Sequence, residues 1–254
     1  MKRPLAVITG ASSGIGLVFA RRLAADHDLL LIARRQDRLN AAAAEIQAQH
    51  GAGVEILCAD LAQESDLRAV AARIAGERNL VLLVNNAGFG YRKLFWEGDL
   101  ENLERMHRLH IMAIVRLSHA ALAGMVARDR GAIINVSSVA AFTQRAGSAS
   151  YGATKSWLSS FTEGLYLDLK KKKSAVTVQA LCPGFTYSEF HDLLHEDRNH
   201  IAPPSFWLTA DEVVDASLRA LARRRLFVIP GWRYKLVVAL LTKLPVSWRT
   251  RLEY

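Results

Sequence analysis

The stretch Leu5–Leu23 sets the tightest limit on what this chain can fold into. A short apolar run, Leu5–Thr9, enters Thr9-Gly10-Ala11-Ser12-Ser13-Gly14-Ile15-Gly16, and a helical pattern follows through Leu23. A strand that breaks at glycines and resumes as a helix leaves the first N–H groups of that helix unpaired at the turn. Such a terminus suits the pyrophosphate of a dinucleotide. Gly10 allows the tight turn, Gly14 and Gly16 allow close backbone approach, Ile15 sits between them, and Ser12 and Ser13 offer hydroxyls to phosphate. Read as structure alone, the same letters are a turn with scattered glycines, so the surroundings decide.

Those surroundings repeat the strand-then-helix alternation. Further strands are predicted at Leu29–Ala33, Val54–Ala59, Leu80–Val84, Ala132–Val136, Val176–Leu181 and Leu226–Pro230. Between them lie helical patterns over Gln36–Gln49, Ser65–Ala75 and Leu100–Ala127, then one through Tyr151 to about Leu169, and one opened by a Thr209/Glu212 capping box. This order predicts an α/β fold: a doubly wound parallel sheet with right-handed crossovers and helices on both faces, in one domain over residues 1–231. Residues 185–208, with prolines and the aromatics Phe190, Phe206 and Trp207, read as a substrate lid.

At 254 residues, 51% hydrophobic and 22% charged, the chain is long enough to bury one large core. Cys58 and Cys182 lie in apolar strand-like runs, so no disulfide framework is expected and a reducing, cytoplasmic setting fits. The N-terminus enters a strand at once, leaving no room for a signal peptide, and no apolar run approaches the ~20 residues that span a bilayer. The net charge of +9 and pI near 9.8 invite a nucleic-acid reading. The basic residues are spread out, however, with no helix-turn-helix, zinc-ligand or aromatic RNA-binding signature, so no nucleic acid is expected. An anionic cofactor or substrate explains the charge more simply.

Two groups of residues carry chemistry. Ala33, Arg34 and Arg35 end the second strand without a carboxylate. In this kind of fold an acidic residue there would take the adenosine 2′-OH, whereas arginine accommodates a 2′-phosphate, so NADP(H) is preferred over NAD(H). The alternative is that the arginines are solvated and paired with Asp37. Downstream, Tyr151 and Lys155 stand four apart on one helix face, and Ser138 ends the fifth strand. A tyrosine of pKa near 10 is a weak acid; a neighbouring ammonium favours its phenolate, and a serine hydroxyl can hold a substrate oxygen.

With these motifs in order over about residues 4 to 231, the chain resembles the short-chain dehydrogenase/reductase family in its compact, Rossmann-like, single-domain branch. The resemblance implies that Thr9–Gly16 binds the cofactor, that Asp60 and Leu61 meet the adenine, and that Asn85, Asn86, Ala87 and Gly88 line the adenosine side. It implies that Pro183 and Gly184 pass the nicotinamide, with Thr186 and Ser188 at the carboxamide, and that Tyr151 transfers a proton while Lys155 also binds the nicotinamide ribose. Ser138 is preferred to Ser137 because it stands thirteen residues before Tyr151, the spacing common in this branch. One departure is His110, where the family usually has an asparagine that bends the long helix and holds a relay water. Imidazole can continue a titrating relay, or His110 is a core histidine and the relay is weakened. No metal site is implied, and a homodimer or homotetramer is expected. A non-catalytic dinucleotide sensor would usually have lost the tyrosine or lysine.

The expected pocket walls are Phe89, Tyr91, Phe95, Trp96, Phe142, Phe185, Phe190, Phe206 and Trp207, which points to a bulky apolar ketone, aldehyde, alcohol or acyl chain. Arg128, Arg130 and Lys170–Lys173 end neighbouring helices and suggest a basic surface for an acidic acyl carrier, as in the ketoacyl reductases of this family. The tail over residues 232–254 has an apolar centre between basic and aromatic flanks. It can lie on an anionic membrane, pack on a partner subunit or cover the substrate mouth, and packing is favoured because its apolar centre is short.

Overall fold

Seven strands form one parallel sheet in the order β3-β2-β1-β4-β5-β6-β7. The strands are β1 Leu5–Thr9, β2 Asp28–Ala33, β3 Val54–Cys58, β4 Leu80–Asn85, β5 Ala132–Val136, β6 Thr177–Leu181 and β7 Phe227–Val228. The helices are α1 Gly14–Leu23, α2 Gln36–His50, α3 Glu64–Ala75, α4 Leu100–His107, α5 Ala113–Ala127, α6 Ala149–Lys172, α7 Ala210–Ala222, α8 Trp232–Leu241 and α9 Val246–Arg249. The structure is a computed structural model and describes residues 3–189 and 202–253.

The central strands are mostly apolar because both faces are covered, whereas the edge strand β3 exposes Glu55 and Cys58. Ala6 and Ile8 of β1 point into a core shared with Phe19 of α1, Leu39 and Ile46 of α2, and Val213 and Val214 of α7. Val7, between them, points the other way, into a core with Val70 and Ile74 of α3 and Leu117, Ala121 and Met125 of α5. The expected doubly wound architecture is therefore present. The chain winds outward from β1 to β3, then restarts at β4 on the other side of β1, and this reversal opens a crevice at the strand C-termini.

Boundaries shift by a residue or so except at β7, which shrinks to two residues from the expected Leu226–Pro230. It is an edge strand with only β6 to pair with, and Pro230 has no N–H to give. The Thr209/Glu212 capping box forms in full.

The helix expected over Leu100–Ala127 is continuous, but it contains one π turn at Arg108–Met112, where the Ala113 N–H reaches Arg108 O. This helix also corrects the view that nothing here is apolar enough to span a bilayer. At 28 residues, with a mean hydropathy of 1.5 in its most apolar window, it passes on length and composition. Leu103, Met106, Leu117, Ala121 and Met125 are buried in the protein, which accounts for that apolar character.

The tail is seated on the body of the protein. Tyr234 and Val238 of α8 are buried. The Tyr234 hydroxyl accepts from the Phe185 N–H at 2.9 Å and donates to Phe206 O at 2.6 Å. Its ring lies flush on the loop after β6, where a Cβ on Gly184 would stand 2.0 Å from Tyr234 Cζ. The tail packs on its own chain through Tyr234 and Val238, while Trp232, Leu240, Val246 and Trp248 stay exposed. Tyr234→Phe removes the donor to Phe206 and leaves the Phe185 N–H unpaired. We expect a loss of about 1–3 kcal/mol in urea unfolding, together with faster tryptic cleavage at Lys243.

Candidate active site

The glycine turn and the β4 terminus are hydrogen-bonded into one platform. Thr9 Oγ1 accepts from the N–H groups of Asn86 at 2.9 Å and Ala87 at 3.0 Å, and Asn86 Nδ2 donates to Thr9 O at 3.0 Å. Gly10 (φ +66°) and Gly14 (φ +53°) take the left-handed conformations that the turn needs. A Cβ on Gly16 would stand 2.4 Å from Gly10 O, so Gly16 sets how closely α1 packs on the turn and does not line the cavity as expected. Ser13 caps no N–H of α1 with its side chain, and the first turn of α1 holds no acidic residue. The terminus is thus configured for a phosphate, and the dinucleotide fits this chain.

At the end of β2, Arg35 Nη2 donates to Ser12 Oγ (3.1 Å), Ser13 Oγ (3.0 Å) and Glu189 Oε2 (2.9 Å). Arg38 holds the other Glu189 oxygen. For Arg35 the partner foreseen, Asp37, is replaced by Glu189, which reaches it from far along the chain. Glu189 is held below the usual carboxylate range by these partners, against the opposing effect of burial. Nothing in the local sequence marks Arg38 or Glu189 as a pair. Asp60 is fixed by another contact that the sequence did not suggest, from Arg105 Nη2 at 2.5 Å.

Ser138, Tyr151 and Lys155 line one cavity of about 1090 Å³ together with Gly10, Ser12, Ser13, Gly14, Ile15, Arg34, Arg35, Asp60, Leu61, Asn86, Ala87, Gly88, Pro183, Gly184, Thr186 and Ser188. Of the positions named for the site, Thr9, Ala11, Gly16, Asn85 and His110 are not on that lining. Lys155 Nζ donates to Val136 O at 2.9 Å and lies 5.7 Å from the centre of the Tyr151 ring. Ser138 accepts from the Ala140 N–H at 3.1 Å and is hydrogen-bonded to the Tyr151 phenol. Ser137 is turned into α6, where its hydroxyl donates to Lys155 O at 2.9 Å. That leaves Ser138 as the serine facing the tyrosine.

The electrostatics differ from expectation in one respect. Burial pushes the Tyr151 phenol up to about 12, with only the Ser138 hydrogen bond acting the other way, so the expected lowering by Lys155 is not seen. Burial also pushes Lys155 down to about 8. Thr186 turns its hydroxyl onto Gly184 O at 3.0 Å, and Ser188 packs on the glycine turn, 3.2 Å from where a Gly14 Cβ would stand.

His110 lies behind the cavity wall, 1% exposed, inside the π turn. Its Nε2 accepts from the Phe89 N–H at 3.2 Å, and its Nδ1 meets Thr154 Oγ1 at 3.0 Å. Because Thr154 Oγ1 donates to Tyr151 O at 2.9 Å, the imidazole is the donor to Thr154, which defines a neutral ring with hydrogen on Nδ1. Both ring nitrogens are taken by protein, so of the two readings for His110 the geometry matches the core histidine. Burial first, then Lys155 and His107, hold its pKa well below the ordinary value.

Of the nine aromatic walls, Phe89, Tyr91, Phe185 and Phe206 line the cavity. Phe95 and Trp96 are 60% and 78% exposed on a 3₁₀ turn; Phe142 packs edge-on against Phe227, and Trp207 stacks on Tyr187. Phe190 lies outside the described residues. Their place is taken by Tyr234, Val237, Val238, Leu241 and Val246 of the tail. Arg128 and Lys170–Lys173 lie at the other end of the molecule: Arg128 bonds Leu80 O at the start of β4, and the lysines end α6, whose start carries Tyr151. The suggested carrier-docking surface is therefore not beside the cavity mouth.

A doubly wound sheet with an uncapped glycine-turn helix and a Ser-Tyr-Lys cluster at the same crevice defines a dinucleotide-binding protein of the oxidoreductase class. The chain matches the short chain dehydrogenase family over residues 4–199, and it belongs to that family. A short-chain dehydrogenase from Sphingobium yanoikuyae in complex with NADPH superposes with a TM-score of 0.85 at 36% identity, covering 96% of this chain and 97% of that one. A bulky-bulky ketone specific alcohol dehydrogenase from Comamonas testosteroni superposes at 0.81 with 30% identity, covering 97% of each chain. The very-long-chain 3-oxoacyl-CoA reductases of Anas platyrhynchos and Homo sapiens are 30% and 28% identical, over 79% and 94% of this chain and 63% and 79% of their own lengths.

The structure makes stability depend on pH through His110. The unfolded chain protonates this imidazole below its ordinary pKa of about 6.5 while the folded chain holds it neutral. The unfolded state then binds more protons, and stability falls as pH falls. In urea unfolding at about pH 5 and about pH 7, His110→Asn should flatten this dependence by up to about 1.4 kcal/mol per pH unit. An unchanged slope would contradict the buried neutral ring.

Proposed function

We propose that the protein is an NADPH-dependent reductase of bulky apolar ketones. The observation that carries this reading is a single cavity that joins the Ser138–Tyr151–Lys155 cluster to the glycine turn and to Arg35, which shares Glu189 with Arg38 behind it. When bound, the nicotinamide supplies the hydride. Tyr151 gives a proton to the carbonyl oxygen, Ser138 hydrogen-bonds that oxygen and orients it, and Lys155 places its ammonium beside the phenol. Burial keeps the phenol protonated at neutral pH, so it can donate to the carbonyl oxygen.

For the cofactor, the supporting feature is that Arg35 and Arg38 already grip an anionic group, the Glu189 carboxylate, beside Ser12 and Ser13. A 2′-phosphate presents the same chemistry to the same donors. The apolar walls, and the similarity to the ketone-specific enzyme from Comamonas, support a bulky substrate. A second reading, reduction of a 3-oxoacyl thioester, is favoured by the similarity to the 3-oxoacyl-CoA reductases.

Two measurements test the reading. Tyr151→Phe should lower turnover of a bulky ketone by about 10²–10⁴-fold while NADPH binding stays nearly unchanged, and retained activity would remove Tyr151 as the proton donor. The double variant Arg35→Ala, Arg38→Ala should weaken NADPH binding by at least about tenfold, or 1.4 kcal/mol, with little effect on NADH. Equal losses for both nucleotides would refute recognition of the 2′-phosphate.

A further inference from the structure

The tail brings a cation to the cavity that the proposed chemistry does not use. Arg249, at the end of α9, lines the same cavity as Tyr151 and Lys155. Its Nε is buried and has no hydrogen-bond partner among the described residues. A buried guanidinium N–H left unpaired is costly, and it calls for an acceptor. Arg145 lines the cavity too, with its guanidinium carbon 5.9 Å from the centre of the Phe185 ring. Its charge acts on Tyr234, the residue that seats the tail.

Carboxylates could answer Arg249, but the two on the described lining are engaged elsewhere. Glu189 is held by Arg35 and Arg38, and Asp60 by Arg105. Around Arg249 the tail contributes apolar surface, from Val237, Val238, Leu241 and Val246. An apolar wall carrying an unanswered guanidinium is the complement of an amphiphile with a negative group.

We propose that Arg249 is a specificity-determining residue that binds an anionic group, carboxylate or phosphate, on an otherwise apolar keto substrate. This rests on the reductase reading above and narrows it: the ketone is an acid or an acyl conjugate. The tail is then the part of the chain that reads the substrate's charge, while α6 and the glycine turn carry the chemistry common to the family. In the low-dielectric cavity such a charge-assisted contact is stronger than on the surface.

The test compares one medium-chain keto fatty acid, its methyl ester and its coenzyme A thioester as substrates of the full-length protein with NADPH. In parallel, a saturated fatty acid and the matching fatty alcohol are titrated as binding probes that need no turnover. Arg249→Met should raise KM for the free acid by about tenfold or more with kcat little changed, leave the methyl ester unaffected, and weaken the fatty acid but not the alcohol. Arg249→Lys should recover part of the loss. A loss confined to the thioester would assign the anion to the phosphates of the coenzyme, and a loss for the free acid would assign it to a carboxylate. Equal changes for acid and ester, or equal binding of acid and alcohol by wild type and variant, would overturn the proposal. An enzyme that reduces none of these ketones, yet binds the fatty acid through Arg249, would refute the reductase reading and leave the anion site standing.

Discussion

The contact on which the rest of this structure depends is the close approach of the β1 glycine turn to the loop after β4. Gly10 and Gly16 leave no room for a Cβ between them, and Asn86 bonds the carbonyl of Thr9 in the space that remains. Parallel strands have no hairpins to hold their ends in register, so the C-terminal edge must be tied by side chains and turns. Thr9 Oγ1 accepts two N–H groups from the neighbouring strand's loop. This puts the helix terminus of α1 and the start of the Gly88–Phe89 segment at one crevice. From there His110 carries the geometry onward: it bonds the Phe89 N–H on one side and Thr154, one turn beyond Tyr151, on the other. The phenol's position is thereby coupled to the glycine turn through a chain of buried hydrogen bonds.

Burial has opposite effects on the groups of this centre. It raises the phenol of Tyr151, lowers the ammonium of Lys155 and keeps the imidazole of His110 neutral. Each shift removes charge from a place where charge is costly. The result is a site whose acid is protonated over the whole neutral range and whose lysine is held near the point of losing its proton. Cys182 beside them is raised to about 11 by the same burial, so its thiol stays a small apolar filler.

The fold was readable because its signals are local: apolar runs bounded by glycines, capping residues such as Thr209, and the 3.6-residue pattern between them. That the site positions gather at one cavity was readable for a related reason. In a doubly wound sheet, chemistry collects where strands end, and Gly10, Arg34, Asp60, Asn86, Ser138 and Gly184 all follow strand termini. What stayed hidden needs contacts between distant parts of the chain. Glu189 and Arg35 are 154 residues apart, and Tyr234 reaches Phe185 across 49. Aromatic residues gave a poor guide to the pocket, because Phe95 and Trp96 look the same in sequence whether they line a cavity or face water. His110 was ambiguous for a similar reason: the partners that saturate its ring lie on a different helix and a different loop.

The positive net charge acquires a specific meaning once the ion pairs are placed. Many surface arginines are answered locally, as Arg21 is by Glu45, Arg22 by Asp211 and Asp215, and Arg73 by Glu55. Exposed pairs of this kind contribute little to stability, but they do cancel the field around them. The cavity is different. Arg249 shares its lining with Asp60 and Glu189 among the described carboxylates, and both of those are already matched. A concave, low-dielectric surface with one sign of charge in excess focuses its potential on whatever enters. Part of the positive charge that looked like a nucleic-acid signal in the composition lies on the wall of this cavity, as Arg34, Arg35, Lys155 and Arg249. The tail supplies Tyr234, Val237, Val238, Leu241, Val246 and Arg249 to that surface.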